Sequence, residues 1–343
     1  MADFYPIARN LLFRLDAERA HHVTLAGMRL VQRLGLLKPI SGPPSAAEKN
    51  EPVRVMGLDF PNRVGLGAGM DKTGSAVDAF GAIGFGHVEV GTVTPRPQPG
   101  NEKPRLFRLV EHDAIINRMG FNNPGVEQMM KNLESSARDF KGVLGINIGK
   151  NFDTPNENAL DDYLACFEGV YEKADYVTAN LSSPNTKGLR DLQNVETCRE
   201  LITALQNARE TLSVQWEKYV PVTIKIAPDL TDEQIRGLAG VFSESGIDGV
   251  IATNTTIARD AVASHARADE AGGLSGAPLT DRSTEVIRLL REALDDSISI
   301  IGVGGIMSGE DAQAKLDAGC ELVQVYSGLV FRGPALVHEC AML

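Results

Sequence analysis

The chain has 343 residues, of which 43% are apolar, and carries a formal net charge of −11. This length is enough for one large domain or two small ones, with a substantial core. The negative charge argues against a general nucleic-acid binder, because neutralising a phosphate backbone requires clustered cations. The four cysteines show neither a Cys-x-x-Cys nor a Cys/His pairing at metal-ligand spacing, so we expect reduced structural thiols and no metal site.

The first 40 residues differ from the rest in charge and in pattern. They contain six Lys or Arg and three Asp or Glu, a net charge of +3, which leaves −14 for the remainder. Apolar residues recur at helical spacing over residues 4–15 and 20–34, and Asp16 between them is a candidate N-cap. These amphipathic helices either cap the main domain or form an apolar mouth that meets an anionic lipid bilayer.

The sequence also bears on location and domain boundaries. No apolar run approaches the roughly 20 residues of a membrane-spanning helix, and Arg9, Arg14 and Asp16 come too early for the core of a signal peptide. We therefore expect an intracellular protein. Residues 41–52 are rich in Pro, Ser, Gly and Ala and are interpreted as a linker between the helical segment, residues 1–40, and a main domain over residues 53–343.

From residue 53 onward, apolar β-rich segments alternate with amphipathic ones. The predicted strands are Val64–Met70, His87–Val93, Val143–Ile148, Tyr176–Leu181, Val222–Ile226, Gly249–Thr253, Ile298–Val303 and Leu322–Tyr326. Helical segments at 74–83, 123–134, 157–172, 194–212, 231–244, 281–294 and 309–318 separate most of them. Eight strand–helix units in about 280 residues predict a (β/α)8 TIM barrel. A doubly wound open sheet is the alternative, although no dinucleotide-binding Gly-x-Gly-x-x-Gly follows the first strand.

Three intervals that follow predicted strands are longer than ordinary loops: 94–120, 182–193 and 254–280. Because the carboxyl ends of barrel strands meet on one face, these intervals predict an elaborated active site there. Within the first interval, residues 106–110 and 114–116 are predicted to pair as a small hairpin.

Glycines cluster at the ends of the last two predicted strands, in residues 302–305 and at Gly328. Backbone N–H groups can approach an anion closely there, and a helix that begins near Ser308 adds its dipole. The loops after the last two strands are the usual phosphate site of this fold, although tight strand–helix turns also need glycine.

Polar side chains recur at the predicted strand ends. Lys225 lies in an apolar strand, where burial is costly, so we expect it to stabilise negative charge on a cofactor such as a reduced flavin. Lys72 could do the same or be a solvated loop residue. Asparagines occur at positions 117, 122, 147, 180, 185 and 254. Each could be a turn residue, but amides also suit a heterocycle with alternating C=O and N–H groups.

One polar segment, Asn180-Leu181-Ser182-Ser183-Pro184-Asn185-Thr186, follows a buried strand. Ser183 within it could act as a nucleophile or a base. No Gly-x-Ser-x-Gly surrounds this serine, so little supports a hydrolase. Gly188 is a candidate hinge for a loop that closes over Ser183.

Five segments together resemble the motifs of the dihydroorotate dehydrogenases, in the order in which that family carries them. They are Ala68-Gly69-Met70-Asp71-Lys72, Asn117-Arg118-Met119-Gly120-Phe121-Asn122, the segment from Asn180 to Thr186, Thr253-Asn254-Thr255-Thr256 and Gly302-Val303-Gly304-Gly305-Ile306. The resemblance covers essentially the whole chain, including the N-terminal helices.

The resemblance implies oxidation of (S)-dihydroorotate to orotate on bound FMN in pyrimidine biosynthesis. By matching motif, the FMN contacts would be Ala68, Gly69, Met70, Asp71, Lys72, Thr92, Asn147, Asn180, Lys225, Thr253, Gly276, Gly305, Tyr326 and Ser327. The substrate would be held by Lys72, Asn117, Arg118, Met119, Gly120, Phe121, Asn180, Asn185, Asn254 and Thr255. Ser183 would remove the C5 proton of the substrate while hydride passes from C6 to the flavin.

The class that the chain resembles most is membrane-associated and quinone-dependent. Soluble relatives carry cysteine at the position of Ser183, so serine there and the N-terminal helices both point to this class. His21, Arg108 and Tyr326 match positions near its quinone channel. The resemblance implies a membrane quinone as oxidant and a peripheral location on the cytoplasmic face of the inner membrane, reached through the N-terminal helices. It gives no reason to expect an obligate protein partner.

The residues alone leave three other interpretations of the function open. An enzyme of the same fold could use fumarate or an NAD-linked partner subunit as oxidant. A colourless isomerase or aldolase that acts on a phosphorylated substrate would also explain the glycines. A non-catalytic membrane-binding module would leave the polar loop face unexplained.

Overall fold

The computed structural model describes residues 5–36, 52–186 and 188–343. The strands, in chain order, are β1 (Val53–Val55), β2 (Leu58–Phe60), β3 (Val64–Leu66), β4 (His87–Val93), β5 (Leu106–Leu109), β6 (Ala114–Asn117), β7 (Val143–Ile148), β8 (Tyr176–Asn180), β9 (Val222–Ile226), β10 (Gly249–Ala252), β11 (Gly273–Gly276), β12 (Ser299–Val303) and β13 (Leu322–Val325). The helices are α1 (Tyr5–Leu12), α2 (Ala17–Arg33), α3 (Val77–Ile83), α4 (Val126–Ser136), α5 (Ala159–Val170), α6 (Val195–Trp216), α7 (Asp232–Ser245), α8 (Thr280–Ala293), α9 (Gly309–Asp317), α10 (Ser327–Arg332) and α11 (Pro334–Ala341).

Eight parallel strands close into a barrel in the order β3-β4-β7-β8-β9-β10-β12-β13. Nearly every residue of these strands is buried, because side chains face either the barrel interior or the surrounding helices. The predicted (β/α)8 barrel is therefore confirmed. Some predicted strands were too long: β3 ends at Leu66 because Gly69, at φ +104°, turns the chain out of the sheet.

The hairpin of β1 and β2 closes the amino-terminal end of the barrel and was not predicted. Val55 and Phe60 pack against side chains inside the barrel, such as Tyr176 and Ile251. The segment is short, and no pattern distinguished it from a loop.

A three-stranded antiparallel sheet in the order β11-β6-β5 covers part of the opposite, carboxyl-terminal end. The predicted hairpin is confirmed as β5 and β6, whereas β11 was missed because glycine begins and ends it. The long intervals 94–120 and 254–280 thus share one sheet, in which Gly273 pairs with Asn117.

The two N-terminal helices pack beside this sheet and against the end of the chain. Asp16 caps α2 as predicted and accepts hydrogen bonds from the backbone N–H groups of Glu18 and Arg19, both at 3.0 Å. The Tyr5 hydroxyl donates to the carbonyl of Val330 at 2.7 Å, and Arg9 donates to that of Phe331 at 3.0 Å. Residues 41–51 of the predicted linker lie outside the described residues, so the domain boundaries stay a prediction.

Candidate active site

A cavity of about 940 Å³ opens at the carboxyl ends of the barrel strands; we call it the barrel-mouth cavity. Of the predicted site residues, those that line it are Ala68, Gly69, Lys72, Thr92, Asn117, Met119, Gly120, Phe121, Asn180, Ser183, Asn185, Lys225, Thr253, Asn254, Thr255, Gly276, Gly305, Tyr326 and Ser327. The strand-end rule therefore brings together residues that are up to 259 positions apart, from Ala68 to Ser327.

Met70 and Asp71 lie outside this lining. Met70 faces a second cavity, described below. The fully buried carboxylate of Asp71 accepts hydrogen bonds from the backbone N–H groups of Thr73, Ser75 and Ala76 at 3.1, 2.7 and 2.8 Å. Asp71 thus shapes the turn that presents Lys72, and its carboxylate points away from the cavity.

Asn147 and Arg118 also lie behind the surface of the cavity. Asn147 is fully buried and accepts a hydrogen bond from the Thr92 hydroxyl at 2.5 Å, so it holds a lining residue from behind. The Arg118 guanidinium pairs with Glu270 at 2.7 Å and covers the Phe107 ring at 4.7 Å. Its side chain therefore stabilises the outer sheet.

The sequence did not assign four lining residues to the site, Gly67, Ser275, Leu279 and Gln324, whereas Val303, Gly304, Ile306 and Gly328 belong to the segments predicted there without an individual role. The glycines and their neighbours lay inside motifs that were already noted. Gln324 carried a usable signal, because it is a polar residue within the apolar strand β13. Ser275 could not be placed without β11, and its hydroxyl shares a 2.8 Å hydrogen bond with Ser327.

One end of the cavity is built from glycine backbone. Gly276, Gly304 and Gly305 have φ values of +99°, +120° and +70°, which other residues rarely adopt. A Cβ atom on Gly305 would lie 2.2 Å from the hydroxyl oxygen of Thr280, which itself donates to the Gly305 carbonyl at 2.7 Å. This bare backbone surface next to a helix N-terminus is suited to a phosphate group.

The amide of Asn180 is locked in the floor of the cavity. Its Nδ2 donates to Thr92 at 3.0 Å and to Asn147 at 3.2 Å. Its Oδ1 accepts from the Ser182 hydroxyl and from Asn254 Nδ2, each at 3.2 Å. The hydrogen bonds of this network fix the orientation of each of its amides. The floor therefore presents a preorganised set of donors and acceptors.

Lys225 and Glu89 supply buried charges of opposite sign beneath the cavity. Burial lowers the pKa of Lys225, and the charge of Glu89 opposes this shift. The fully buried Glu89 carboxylate accepts hydrogen bonds from Asn147 at 2.8 Å, from Tyr176 at 2.9 Å and from Gln324 at 2.8 Å. Burial thus works against the ionisation of Lys225, and the fully hydrogen-bonded carboxylate of Glu89 works in its favour.

Ser183 lies in the loop that follows β8 and is 5% exposed. Its hydroxyl accepts a 3.3 Å hydrogen bond from the backbone N–H of Asn185. The Asn185 side chain donates to Asn117 at 3.1 Å, while its own oxygen is buried without a partner in the described part of the chain. An unsatisfied buried acceptor at the wall of a cavity marks a place for a ligand donor. Gly188 has φ +69°, but nothing tests its predicted role as a hinge.

Lys72 also lines the barrel-mouth cavity. Its ammonium donates to the Gly69 carbonyl at 2.6 Å. Burial lowers the pKa of Lys72 to about 8; the nearby Arg105 lowers it further, and Glu18 and Asp71 oppose the change. Near neutral pH it therefore presents a cation to the cavity.

A second cavity, of about 1090 Å³, lies between the N-terminal helices and the barrel; we call it the tip cavity. Its lining is mainly apolar: Tyr5, Leu12, Phe13, Ala17, Ala20, His21, Thr24, Leu25, Met28, Met70, Phe80, Ile83, Leu106, Arg108, Ile115, Tyr326, Leu329, Val330 and Pro334. Tyr326 lines both cavities, and its hydroxyl donates to the Gly69 carbonyl at 3.3 Å. The two cavities therefore share a wall.

The structure brings together the three residues predicted for the quinone channel, since His21, Arg108 and Tyr326 all line the tip cavity. Burial lowers the pKa of His21 to about 3, with the charge of Lys72 as a further cause, so His21 is neutral at physiological pH. The Arg108 guanidinium lies 4.5 Å from the centre of the Phe13 ring and donates to carbonyls of the turn between α1 and α2, including that of Leu15.

Comparison with known proteins identifies this arrangement. The family model for dihydroorotate dehydrogenase matches residues 52–342. The chain belongs to the dihydroorotate dehydrogenase family. It is 59% identical to the dihydroorotate dehydrogenase (quinone) of Chromobacterium violaceum, over 98% of this chain and 96% of the relative. Identity to the protein of the same name from Thiobacillus denitrificans is 56%, over 98% of both. A crystal structure of DHODH from Eimeria tenella in complex with ferulenol matches 95% of this chain and 90% of its own, with a TM-score of 0.86 and 41% identity.

The family resemblance seen in the motifs is confirmed, and the chain is a flavin-dependent oxidoreductase. The barrel-mouth cavity fits a flavin nucleotide. Its glycine end is suited to a phosphate, and the Lys225 amine lies at its lining. The Gln324 Oε1 atom is buried without a partner within the described residues, so it offers a further acceptor. The described helices include none that is long and apolar enough to cross a membrane.

Proposed function

We propose that this dihydroorotate dehydrogenase oxidises (S)-dihydroorotate to orotate on FMN in the barrel-mouth cavity and reduces a membrane quinone from the tip cavity. The observation that carries the proposal is the shared wall at Tyr326 between a polar cavity and an apolar one. A charged substrate and a lipid-soluble oxidant thereby reach opposite sides of one cofactor. The reaction belongs to pyrimidine biosynthesis, as in the relatives of this family.

FMN would lie with its phosphate on the glycine end and its ring system over the floor of the cavity. The phosphate would be held by backbone near Gly276, Gly305 and Ser327, and the ring system by Thr92, Asn180, Lys225 and the loop from Ala68 to Lys72. When bound, FMN accepts a hydride from the substrate and passes two electrons to the quinone. Lys225 would stabilise the negative charge that accompanies reduction.

Dihydroorotate would bind beside Ser183 among the amides of Asn117, Asn185 and Asn254. Amides can pair with the alternating C=O and N–H groups of its ring. Lys72 would attract its carboxylate. The backbone from Met119 to Phe121 would complete the wall of this pocket.

Ser183 would take the proton from C5 of the substrate. A serine hydroxyl is a weak base, so its own proton must leave as the new one arrives. The buried Thr186 hydroxyl, which has no partner within the described residues, is a candidate in this loop to accept it. Exclusion of water from this buried loop would keep the proton transfer directed.

The oxidant distinguishes this function from that of other enzymes of the same fold. We expect steady-state turnover with a short-chain ubiquinone or menaquinone analogue and none with fumarate or NAD⁺ as acceptor. Turnover with fumarate or NAD⁺ and none with any quinone would overturn the assignment of the tip cavity.

A substitution on α2 can narrow the mouth of the tip cavity without changing any residue of the barrel. Thr24 is exposed and lines this cavity, so Thr24→Phe should obstruct quinone entry. We expect the KM for a quinone analogue to rise about tenfold, a loss of roughly 1.4 kcal/mol in binding. Reduction of the flavin by dihydroorotate should be unchanged. The neighbouring Val23 is exposed but lies outside the lining, so Val23→Phe is the matched control.

The N-terminal helices would also hold the protein on the membrane surface, on the cytoplasmic face of the inner membrane. Ile7, Leu11, Leu30 and Leu34 are 64, 60, 57 and 61% exposed, so the two helices together present a group of apolar side chains that suits an apolar phase. Positive charges in the same segment would favour anionic lipids.

Sedimentation with anionic phospholipid vesicles tests this membrane contact. The double variant Ile7→Ser/Leu11→Ser should lower the bound fraction, because each buried side chain contributes about 1.5–3 kcal/mol. Val214, on α6, is 80% exposed, so Val214→Ser is the control and should bind like the wild type. Equal binding of all three proteins would contradict the proposed contact.

A further inference from the structure

A buried ion pair joins α2 to the loop that precedes β5. Glu18 and Arg105 are only 4% and 6% exposed. Arg105 Nη2 donates to one carboxylate oxygen of Glu18 at 2.8 Å, and Nε reaches both oxygens at 3.2 Å. Burial raises the pKa of Glu18, but hydrogen bonds from Arg105 and Lys103 outweigh it, so the pKa lies at about 2. The pair is ionised at physiological pH.

The Arg105 guanidinium also binds the backbone of the loop that precedes β5. Arg105 Nη1 donates to the carbonyls of Pro99 and Asn101, both at 2.7 Å. Between them Gly100 has φ +76°, and a Cβ atom there would lie 2.3 Å from the Met119 carbonyl oxygen. The loop therefore packs closely against the predicted substrate segment, and Arg105 binds its backbone on either side of this close contact.

Asn101 carries this constraint into the barrel-mouth cavity. Its side-chain Nδ2 donates to the carbonyl of Arg118 at 2.9 Å and to that of Asn185 at 3.2 Å. Its backbone N–H donates to the Met119 carbonyl at 3.0 Å. Asn101 thus connects the two segments that would hold the substrate, one around residues 117–121 and the other the loop of Ser183.

We propose that Glu18 is a positioning residue for dihydroorotate: through Arg105 and Asn101 it holds the backbone on which Asn117 and Asn185 bind the substrate. The inference rests on the proposed function. Helix α2 lines the tip cavity, where the quinone would bind. The proposal gives the same helix a second role, in the half-reaction with dihydroorotate. Removing the N-terminal helices would leave Arg105 buried without its carboxylate and would disturb the substrate site as well as the quinone site.

Glu18 also affects the charge of the substrate site. Four titratable groups interact with the charge of Lys72. They are Arg105 just before β5, Glu18 and His21 on α2, and Asp71 in the same turn as Lys72. Loss of the Glu18 charge leaves Arg105 to repel the Lys72 cation, so Lys72 should lose its proton at a lower pH. A purely structural contact would not move this ionisation.

Anaerobic stopped-flow reduction of the holoenzyme by dihydroorotate tests the proposal. For Glu18→Gln we expect the apparent Kd for dihydroorotate to rise about tenfold or more. The limiting rate should fall less than the affinity, since the side chain of Ser183 and the flavin contacts are themselves unchanged. The loss of affinity at alkaline pH should begin at a lower pH than in the wild type. Arg19→Gln, an exposed change on the same turn of α2, is the matched control and should behave like the wild type.

Asn101→Ala is an independent test of the proposal, and it can be used even if Glu18→Gln does not fold. It should weaken dihydroorotate binding in the same way, and the double variant should be less impaired than the product of the two single effects, because both act through one chain of contacts. Wild-type affinity in either single variant, or independent multiplicative effects, would overturn the proposal. If dihydroorotate fails to reduce the wild-type flavin, the proposed function itself is wrong.

Discussion

Replacing Ser183 with alanine should lower the rate of flavin reduction by dihydroorotate by about 10²–10⁴-fold, the usual contribution of a general base. The variant keeps the floor of the cavity, because the one hydrogen bond that the Ser183 hydroxyl makes within the described residues is the one it accepts from Asn185 N–H. Flavin content and the apparent Kd for orotate should therefore remain close to those of the wild type. Stopped-flow absorbance of the flavin measures the rate, and a spectral titration with orotate measures the affinity.

Ser183→Cys is the informative control for this change. A thiol is similar in size and can still accept a proton, so it should retain more activity than alanine, with a rate that increases as the pH approaches the pKa of a thiol near 8.5. If Ser183→Ala reduces its flavin at nearly the wild-type rate, Ser183 is not the base and the role assigned to the loop fails.

Removal of the buried cation should have the second large effect. Lys225→Met is expected to slow flavin reduction by about 10²-fold, as for the loss of one preorganised electrostatic group. The midpoint potential of the bound flavin should fall, because the reduced form loses its counter-charge. The free energy of unfolding should also fall, since the buried Glu89 carboxylate would lose the opposite charge of Lys225.

A second substitution separates catalysis from stability in this prediction. Adding Glu89→Gln to Lys225→Met removes the orphaned charge but puts an N–H donor where Glu89 accepts hydrogen bonds, so the double variant should regain only part of the lost stability in thermal unfolding. Its flavin potential should stay low, because the cation is still missing. Recovery of the potential together with stability would show that Lys225 acts only through the fold.

Much of the barrel and of its mouth was predictable from local patterns. Apolar strands such as His87–Val93 can only be buried between the barrel interior and its helices, and the carboxyl ends of such strands meet on one face. This rule places Lys225, Asn180 and Gly305 together although they come from different strands. Motif order then identified the family.

What local patterns could not show are contacts between distant segments and the directions of individual side chains. Arg118 lies in a substrate motif, yet its side chain pairs with Glu270, 152 positions away. In the sequence, Glu18 is one of the few acids in a basic segment. In the structure it is buried against Arg105, 87 positions away. Such pairing depends on tertiary packing, to which helical periodicity is insensitive. Periodicity therefore could not show that the N-terminal helices are tied to the loop before β5 by a buried ion pair.

The most direct test of two cavities that serve one flavin is an anaerobic spectral titration of the purified protein. The account predicts a yellow protein whose flavin absorbance is bleached by a stoichiometric amount of dihydroorotate. The absorbance should then return when a quinone analogue is added. A flavin that stays oxidised with excess dihydroorotate, or one that stays reduced with excess quinone, would contradict it.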